Sequence, residues 1–221
     1  MTLAPVKTPV VAKKMFPNYI WDIPTQEKVI YLTFDDGPTP EITNWTLDLL
    51  NQYHAKATFF CIGANIEKHP DIFKRTILEG HAIGNHTQNH IKGWKNNTKN
   101  YLKNIAEAKT VIEHQMLNLG AIKFFRPPYG QITPKQGRHL IALDYKIIMW
   151  DILSFDWDHS VDKETCLKNI LAKTTQGSIV VFHDSIKASK NMQYTLPRML
   201  DYFNDKGFRF ESLQDAIQLN S

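Results

Sequence analysis

The sequence Val29-Ile30-Tyr31-Leu32-Thr33-Phe34-Asp35-Asp36-Gly37-Pro38 decides the fold. Its β-branched and aromatic start predicts a strand that is buried on at least one face. The Gly-Pro pair ends that strand, and at the exit the carboxylates of Asp35 and Asp36 can turn toward one site. Two adjacent carboxylates repel each other unless a cation or a proton lies between them. A solvated turn is the alternative interpretation, since Asp-Gly and Gly-Pro are common turn pairs.

Outward from this stretch, strands and helices alternate along the chain. The predicted strands cover residues 29–35, 57–62, 81–85, 123–126, 145–152, 178–182 and 208–210. The predicted helices cover residues 40–53, 65–79, 101–117, 133–143, 161–174 and 192–205, and a last helix follows the final strand. The helix over residues 65–79 is expected to be interrupted or to restart at Pro70. This alternation is typical of βα units around a parallel sheet, either an open doubly wound sheet or a closed or nearly closed barrel.

Polar residues at the strand ends favour the barrel. The residues that follow predicted strands in this way are Asp35, Asp36, His86, Arg126, Asp156 and His183. The carboxyl ends of barrel strands converge on one rim, where these side chains would meet. We therefore predict an α/β barrel with seven strands.

Composition and charge exclude several classes of protein. The chain has 221 residues, and 26 basic against 22 acidic side chains give a net charge of +4. That charge is too small to indicate nucleic-acid binding, and no apolar run approaches the length of a membrane span. Cys61 and Cys166 provide neither a disulfide framework nor a paired metal motif. The N-terminus lacks the pattern of a signal peptide, so the chain as it stands is expected in the cytoplasm.

The segment His86-Thr87-Gln88-Asn89-His90 places two imidazoles four residues apart. This spacing predicts that both rings lie on one face of a helical turn and suits two ligands of one metal ion. By itself the pair is weak evidence, because nine histidines make such spacings common by chance. Asp36 would complete a His-His-Asp set that leaves a position open for water, as in catalytic sites.

Two further strand exits carry candidate groups. Arg126 is either a surface residue on a loop stiffened by two prolines or a guanidinium that pairs with Asp35. In the second interpretation, the same loop also fixes the backbone around Tyr129, so that its N–H can face a developing oxyanion. His183 is either a core histidine or a proton donor. A carboxylate such as Asp156 on one ring nitrogen would fix its tautomer and favour its protonated form.

Five motifs in this order resemble those of polysaccharide deacetylases with a NodB-type domain, carbohydrate esterase family 4. They are Thr33-Phe34-Asp35-Asp36-Gly37-Pro38, His86-Thr87-Gln88-Asn89-His90, Arg126-Pro127-Pro128-Tyr129-Gly130, Ser154-Phe155-Asp156-Trp157 and Val181-Phe182-His183. The resemblance covers residues 28–213 and implies a distorted, incomplete (β/α)7-type barrel. Residues 29–221 would form this single domain, with residues 1–28 as an irregular lead-in packed on it.

The resemblance also implies an activity, the removal of acetyl groups from a sugar polymer by metal-activated water, and a role for each motif residue. Asp36, His86 and His90 would bind the metal, Asp35 would be the base oriented by Arg126, and His183 would be the acid steadied by Asp156. The Tyr129 N–H would stabilise the oxyanion, and Tyr129, Trp157 and Val181 would contact the substrate. Members of the family often act at the cell envelope.

Two positions depart from the family pattern. Leu153 stands where members often carry Asp, and Val181 stands where they usually carry Leu. Both positions lie around the acid histidine and the acetyl pocket, so they affect the expected fit of the substrate and remove no catalytic group.

The expected cofactor is one divalent ion, Zn²⁺ first, with Co²⁺, Ni²⁺ or Fe²⁺ as other candidates. The expected partner is a polysaccharide or oligosaccharide substrate such as peptidoglycan or a chitin-like oligomer. N-acetylated substrates are expected ahead of O-acetylated ones. The chain is expected to be a monomer. Trp94, Tyr129 and Trp157 are candidate faces for sugar rings, while Trp150, on a predicted strand, is expected in the core.

Two other functions stay open at this point. One is a metal amidohydrolase that acts on a small N-acyl compound. The other is a non-catalytic glycan-binding barrel, against which the complete set of base, metal ligands and acid argues, because binding alone requires none of them.

Overall fold

The computed structural model describes residues 5–116 and 123–218 and shows a curled parallel sheet surrounded by helices. The strands are β1 Val29–Asp35, β2 Ala57–Cys61, β3 Ala82–Asn85, β4 Phe124–Phe125, β5 Lys146–Ile147, β6 Ile152–Leu153, β7 Ile179–His183 and β8 Arg209–Phe210. The helices are α1 Val10–Met15, α2 Ile42–Gln52, α3 Gly63–Lys68, α4 Pro70–Leu78, α5 Thr98–Met116, α6 Pro134–Ala142, α7 Lys163–Lys173, α8 Ser189–Asn204 and α9 Leu213–Gln218. The predicted α/β barrel is confirmed.

Seven strands follow one hydrogen-bonded path in the order β5-β4-β3-β2-β1-β7-β6, and β8 pairs with the start of β1. Every pairing along the path is parallel. The carboxyl ends of all seven strands therefore lie on one rim. Within the described residues the path ends at β5 and β6 without closing, so the sheet is an incomplete barrel.

The alternation of side chains along β1 separates the core from the site. All seven residues of the strand are buried. Leu32 and Phe34 point outward into the main core, where the Phe34 ring stacks on Phe59 with centroids 5.0 Å apart. Thr33 and Asp35 point to the opposite face, the inside of the barrel. This alternation places a carboxylate at the inner rim.

The single strand predicted over residues 145–152 is wrong. The structure has two short strands there, β5 against β4 and β6 against β7, at opposite ends of the path. Between them the chain leaves the sheet, and the carbonyl groups of Ile148 and Met149 accept hydrogen bonds from the Arg126 guanidinium. The predominantly apolar run carries no mark of such a break, because its residues from 145 to 153 are buried on both sides of the break, apart from Lys146 and Trp150.

The lead-in runs along the two open edges of the sheet. Its predicted irregular course is interrupted by the short helix α1. Ile20 forms a bridge to Ile148 beside β5, and Lys7 forms a bridge to Ile152 of β6. The lead-in thus covers the strand edges that the incomplete barrel leaves unpaired. Residues 1–4 of the predicted lead-in lie outside the described residues.

A buried carboxylate ties the lead-in to the lower end of the barrel, opposite the rim. Asp151, which precedes β6, accepts a hydrogen bond from Lys13 at 2.6 Å and one from Ser178 at 2.7 Å. Lys7 lies 3.1 Å from the same carboxylate. Burial would raise the pKa of Asp151, but the contacts with Lys13, Ser178 and Lys7 outweigh it and lower that pKa. Both lysines come from the lead-in. The lead-in is therefore attached to the barrel by ion pairs as well as by backbone hydrogen bonds.

The other predicted elements match the structure within a few residues. The predicted break at Pro70 separates α3 from α4, and Pro70 occupies the first position of α4, where its missing N–H costs nothing. The predicted end of the third helix at Leu117 lies outside the described residues. Across the described ranges, we find no helix with the length and apolar character that crossing a membrane requires.

Candidate active site

The centre of the inner rim is an ion pair between Asp35 and Arg126. Asp35 ends β1, and Arg126 directly follows β4. The Arg126 Nη1 donates to Asp35 Oδ1 at 2.7 Å and to Thr33 Oγ1 at 2.7 Å. The side chains therefore meet as predicted, although the strands that carry them are not neighbours in the sheet.

Arg126 is 0% exposed, which excludes the interpretation of a surface arginine. Its Nη2 and Nε donate to the carbonyl oxygens of Met149 and Ile148, and the guanidinium lies over the Phe60 ring at 4.1 Å. A buried cation with this many partners is held in one orientation. Burial would raise the pKa of Asp35, but the Arg126 guanidinium and the nearby imidazoles outweigh it and hold that pKa below its ordinary value. Asp35 is therefore ionised at neutral pH.

Asp36, His86 and His90 form a second cluster on the same rim. Their candidate ligand atoms all lie within 4.8 Å of one another. Asp36 Oδ1 is 3.3 Å from His90 Nε2 and 3.8 Å from His86 Nε2. Asn65 donates to the Asp36 carbonyl at 2.7 Å and fixes the backbone of this residue, which has a φ of 84°. The cluster contains the three residues predicted to bind a metal.

The predicted helical turn through the histidines is wrong. The segment after β3 is irregular, with positive φ values of 67° at Thr87 and 53° at His90. Asn104 of α5 holds it from outside, because its Oδ1 accepts the N–H groups of Gln88 and Asn89 at 3.0 and 3.1 Å. The loop nevertheless brings the two imidazoles together, with ring centroids of His86 and His90 5.1 Å apart.

The protonation of both histidines suits metal binding. Burial is the largest cause that lowers the pKa of His86, and burial together with His86 lowers the pKa of His90 to about 4. His86 Nδ1 lies 2.8 Å from the Arg126 carbonyl oxygen, which can only accept, so this nitrogen carries the proton and Nε2 presents a lone pair. The buried Asp36 Oδ1 has no hydrogen-bond partner among the described residues. An unpaired buried carboxylate oxygen between two neutral imidazoles fits a divalent cation.

His183, at the end of β7, pairs with Asp156. The His183 Nδ1 lies 2.8 Å from Asp156 Oδ1, and the His183 N–H donates to Asp156 Oδ2 at 2.8 Å. Because the Asp156 carboxylate accepts a hydrogen bond from Nδ1–H, the other ring nitrogen of His183, Nε2, is left for a substrate. Burial alone would lower the pKa of His183, but the ion pair with Asp156 outweighs it and raises that pKa to about 9. His183 is therefore a protonated group at neutral pH.

Apolar side chains surround this histidine. The Trp157 ring lies 4.7 Å from the His183 ring and stacks on Phe155 at 5.1 Å. Val181, two residues before His183 on β7, faces the same side of the sheet but is only 1% exposed and packs with Leu153 and Phe155. Trp157 thus lies beside His183, and Val181 and Leu153, the two positions that depart from the pattern of the resembled family, belong to the apolar cluster against which Trp157 packs.

Tyr129 lies on the other side of the cluster. The backbone of Tyr129, between Pro128 and Gly130, has a φ of 59°. The Tyr129 ring lies 4.6 Å from the His90 ring. The side chain is 56% exposed, so it borders the site from outside. Trp94 is also exposed and lies near the same loop. Trp150, predicted in the core on a strand, lies between β5 and β6 and is only half-buried, packed against a core cluster.

Asp184 is a buried residue that the sequence interpretation missed. Its carboxylate accepts the Gly37 N–H at 3.0 Å and the Thr43 hydroxyl at 2.5 Å, and so fixes the turn after Asp36. A β-carbon at Gly37 would overlap this carboxylate. Burial raises the pKa of Asp184 to about 8. Its position directly after His183 was the available signal, but adjacency alone does not show that a side chain turns back toward another loop.

Comparison with known proteins identifies relatives that match most of the chain. A family model described as polysaccharide deacetylase matches residues 22–148. A peptidoglycan-N-acetylglucosamine deacetylase of Bacillus cereus is 35% identical over 204 residues, covering 90% of this chain and 72% of the relative. A chitooligosaccharide deacetylase of Azorhizobium caulinodans is 32% identical, covering 73% of this chain and 76% of the relative. The solved structure of the Bc1960 peptidoglycan N-acetylglucosamine deacetylase superposes with a TM-score of 0.86 at 33% identity, covering 95% of this chain and 96% of that one.

Proposed function

Because this chain belongs to the polysaccharide deacetylase family of hydrolases, we propose that it removes acetyl groups from N-acetylated sugars of a polysaccharide with the help of one divalent metal ion. The observation that carries this proposal is the arrangement of three groups on one rim. An ionised carboxylate, Asp35, and a protonated imidazole, His183, lie around an Asp-His-His cluster with an unpaired carboxylate oxygen. A binding module requires neither the base nor the acid, and this argues against the non-catalytic alternative.

The metal would be held by Asp36, His86 and His90. When bound there, a divalent ion supplies Lewis acidity and lowers the pKa of a water molecule toward about 7. Two imidazoles and one carboxylate suit Zn²⁺ first, and Co²⁺, Ni²⁺ or Fe²⁺ bind similar sets. The Arg126 carbonyl that accepts from His86 orients this ligand, so Arg126 supports both the base and the metal site.

The residues of the chain divide the proton transfers between them. Asp35, kept ionised by Arg126, takes the proton of the attacking water as it adds to the acetamide carbon. The Tyr129 N–H donates to the oxygen that gains negative charge. His183 gives its proton to the nitrogen of the departing amine, and Asp156 stabilises the imidazolium before that transfer. The products are acetate and a free amino sugar.

The substrate that we propose is the N-acetylglucosamine of peptidoglycan, with chitin-like oligomers as the second candidate and O-acetylated polymers after them. The names of the relatives support this order. Acetate release from N-acetylated glycan strands, chitooligosaccharides and N-acetylated monosaccharides, each with and without a chelator, tests the proposal. Release from monosaccharides alone would instead favour an amidohydrolase of small N-acyl compounds. We also propose that the chain acts as a monomer.

Replacing His86 by Ala tests the metal site. We expect His86→Ala to lose most of its bound metal and to lower turnover by at least about a hundredfold, because only two ligands remain. Metal content by mass spectrometry and acetate release measure the two effects. His139→Ala, which removes an exposed histidine of α6, is the matched control and should keep both. Unchanged metal content in His86→Ala would reject His86 as a ligand.

The acid is tested by the pH dependence of kcat/KM. The pKa of His183 is raised to about 9, so its proton is available below that pH and kcat/KM should fall as the pH rises through about 9. Asp156→Asn removes the negative charge and should move this fall about 1–3 pH units lower. Asp205→Asn, an exposed change just after α8, should leave the profile in place. If the fall in kcat/KM at alkaline pH does not move in Asp156→Asn, that fall does not report the titration of His183.

A further inference from the structure

We propose that Lys92, Trp94 and Tyr129 form a rim patch that binds an acidic glycan chain next to the reacting sugar. In this proposal, which rests on the deacetylase function above, one sugar ring stacks on Trp94 and a sugar carboxylate pairs with the Lys92 ammonium. The three residues lie outside the group that performs the chemistry, apart from the backbone N–H of Tyr129. The patch therefore selects the polymer without taking part in the proton transfers.

Trp94 is exposed and yet held in place. It is 66% exposed, and its Nε1–H donates to the Ile132 carbonyl at 3.1 Å. This bond satisfies the polar edge of the indole and leaves a face of the ring to solvent. Large aromatic side chains that are fixed and exposed mark binding surfaces, because their contact area is available at little cost in entropy.

The turn that carries Trp94 is anchored from below. Gly93 donates its N–H to the Gln131 carbonyl at 3.1 Å, and a β-carbon at Gly93 would overlap that carbonyl oxygen. Gln136, which is 0% exposed, donates to the carbonyl groups of Gly93 at 2.9 Å and Asn96 at 3.1 Å. A buried amide and a close backbone approach thus fix residues 93–96 against the loop of Tyr129. The indole is presented by a rigid support.

Lys92 connects this turn to the metal cluster. Its Nζ lies 4.4 Å from the centroid of the Tyr129 ring, and that ring lies 4.6 Å from the His90 ring. The ammonium is thereby held over an aromatic face that borders the candidate metal site. The order along the rim is the metal cluster, then Tyr129, then Lys92.

The charge of the patch indicates the class of polymer. Lys92 forms no ion pair with a carboxylate in the part of the chain that the structure describes, and neither does the exposed Lys95 next to Trp94. By contrast, Lys7 and Lys13 of the lead-in both bind Asp151. The Lys92 ammonium can donate hydrogen bonds to the oxygens of any sugar, but a carboxylate substituent adds an attraction between opposite charges that a neutral polymer lacks. We therefore assign the patch to acidic glycans.

The test measures binding, so that it does not depend on turnover. In the Asp35→Asn background, calorimetric titration compares peptide-free glycan strands that alternate N-acetylglucosamine with N-acetylmuramic acid against N-acetylglucosamine oligomers of equal length. We expect Lys92→Gln to weaken binding of the acidic strand about fivefold, which is the loss expected for one partly exposed ion pair. The same variant should weaken binding of the neutral oligomer by less than about twofold. Trp94→Ala should weaken both ligands by about fivefold, because both present sugar rings.

Matched variants complete the experiment. Lys92→Arg should retain the preference for the acidic strand, and Lys14→Gln, an exposed change on α1, should bind as the parent does. The preference should also shrink as salt concentration rises. Equal weakening of both ligands by Lys92→Gln, or unchanged binding by either Lys92→Gln or Trp94→Ala, overturns the patch. Acetate release by the wild-type chain from N-acetylglucosamine oligomers separately tests the deacetylase function, so the two failures are distinguishable.

Discussion

Replacing Asp35 by Asn is expected to lower turnover by about a thousandfold while the chain stays folded and keeps its metal. The amide is nearly the same size as the carboxylate and can still accept from Arg126 Nη1, but it cannot take a proton from water. General base catalysis contributes about 10²–10⁴-fold to rates, and this sets the size of the loss. The measurements are acetate release, metal content and the unfolding transition of the same preparation.

The control for this prediction is another Asp-to-Asn change. Asp48→Asn alters a carboxylate whose side chain is 62% exposed and whose partner, Arg75, lies on the outer surface. We expect Asp48→Asn to keep wild-type turnover. Wild-type turnover in Asp35→Asn would remove Asp35 as the base, and a loss of metal in that variant would mean that Asp35 acts through the metal site.

The second large effect is on stability. Arg126→Met should lower the free energy of unfolding by about 3–5 kcal/mol, because Asp35 would be left as a buried charge without its partner. The variant also leaves the carbonyl groups of Ile148 and Met149 without their donors. Denaturant unfolding at pH 7 measures the loss. A variant as stable as the wild type would show that water can replace the guanidinium.

The pH dependence and a double variant identify the cause of that loss. In the wild type the pKa of Asp35 is lowered on folding, so the pair stabilises the fold above the unfolded pKa of about 3.9 and this contribution is lost only as the pH falls through the lower folded value. Without Arg126, Asp35 loses the largest attraction that opposes burial, so we expect burial to raise its pKa and the sign to reverse. The deficit of Arg126→Met should therefore shrink as the pH falls toward 4. Adding Asp35→Asn to Arg126→Met should recover part of the stability at pH 7 and none of the activity.

The barrel and much of the site could be predicted from local sequence signals. The apolar run before Asp35 and the regular spacing of helices indicated parallel strands, and such strands place their exits on one rim. Asp35 and His183 end their strands, and Arg126 and Asp156 come within three residues after theirs. Their meeting therefore follows from the topology of the sheet. The ion pairs Asp35–Arg126 and Asp156–His183 are the parts of the site that this reasoning anticipated in the structure.

Features set by contacts distant in sequence could not be predicted in the same way. The loop from His86 to His90 is shaped by Asn104, a residue of α5 whose amide oxygen replaces the hydrogen bonds of a helical turn. The Asp184 carboxylate reaches the Gly37 turn across more than 140 residues of sequence. Neither contact leaves a periodic pattern in the chain. The spacing of the histidines therefore predicted the wrong backbone conformation, a helical turn, although it correctly predicted that the two imidazole rings lie close together.

The lead-in has a consequence for the behaviour of shortened chains. In the intact chain, Lys7 and Ile20 occupy the outer edges of β6 and β5, and Asp151 holds the segment down. Removing the segment would leave two strand edges with free backbone donors and acceptors, which are templates for pairing between molecules. We therefore expect a trimmed barrel to associate through edge-to-edge pairing of these strands, increasingly so as its concentration rises.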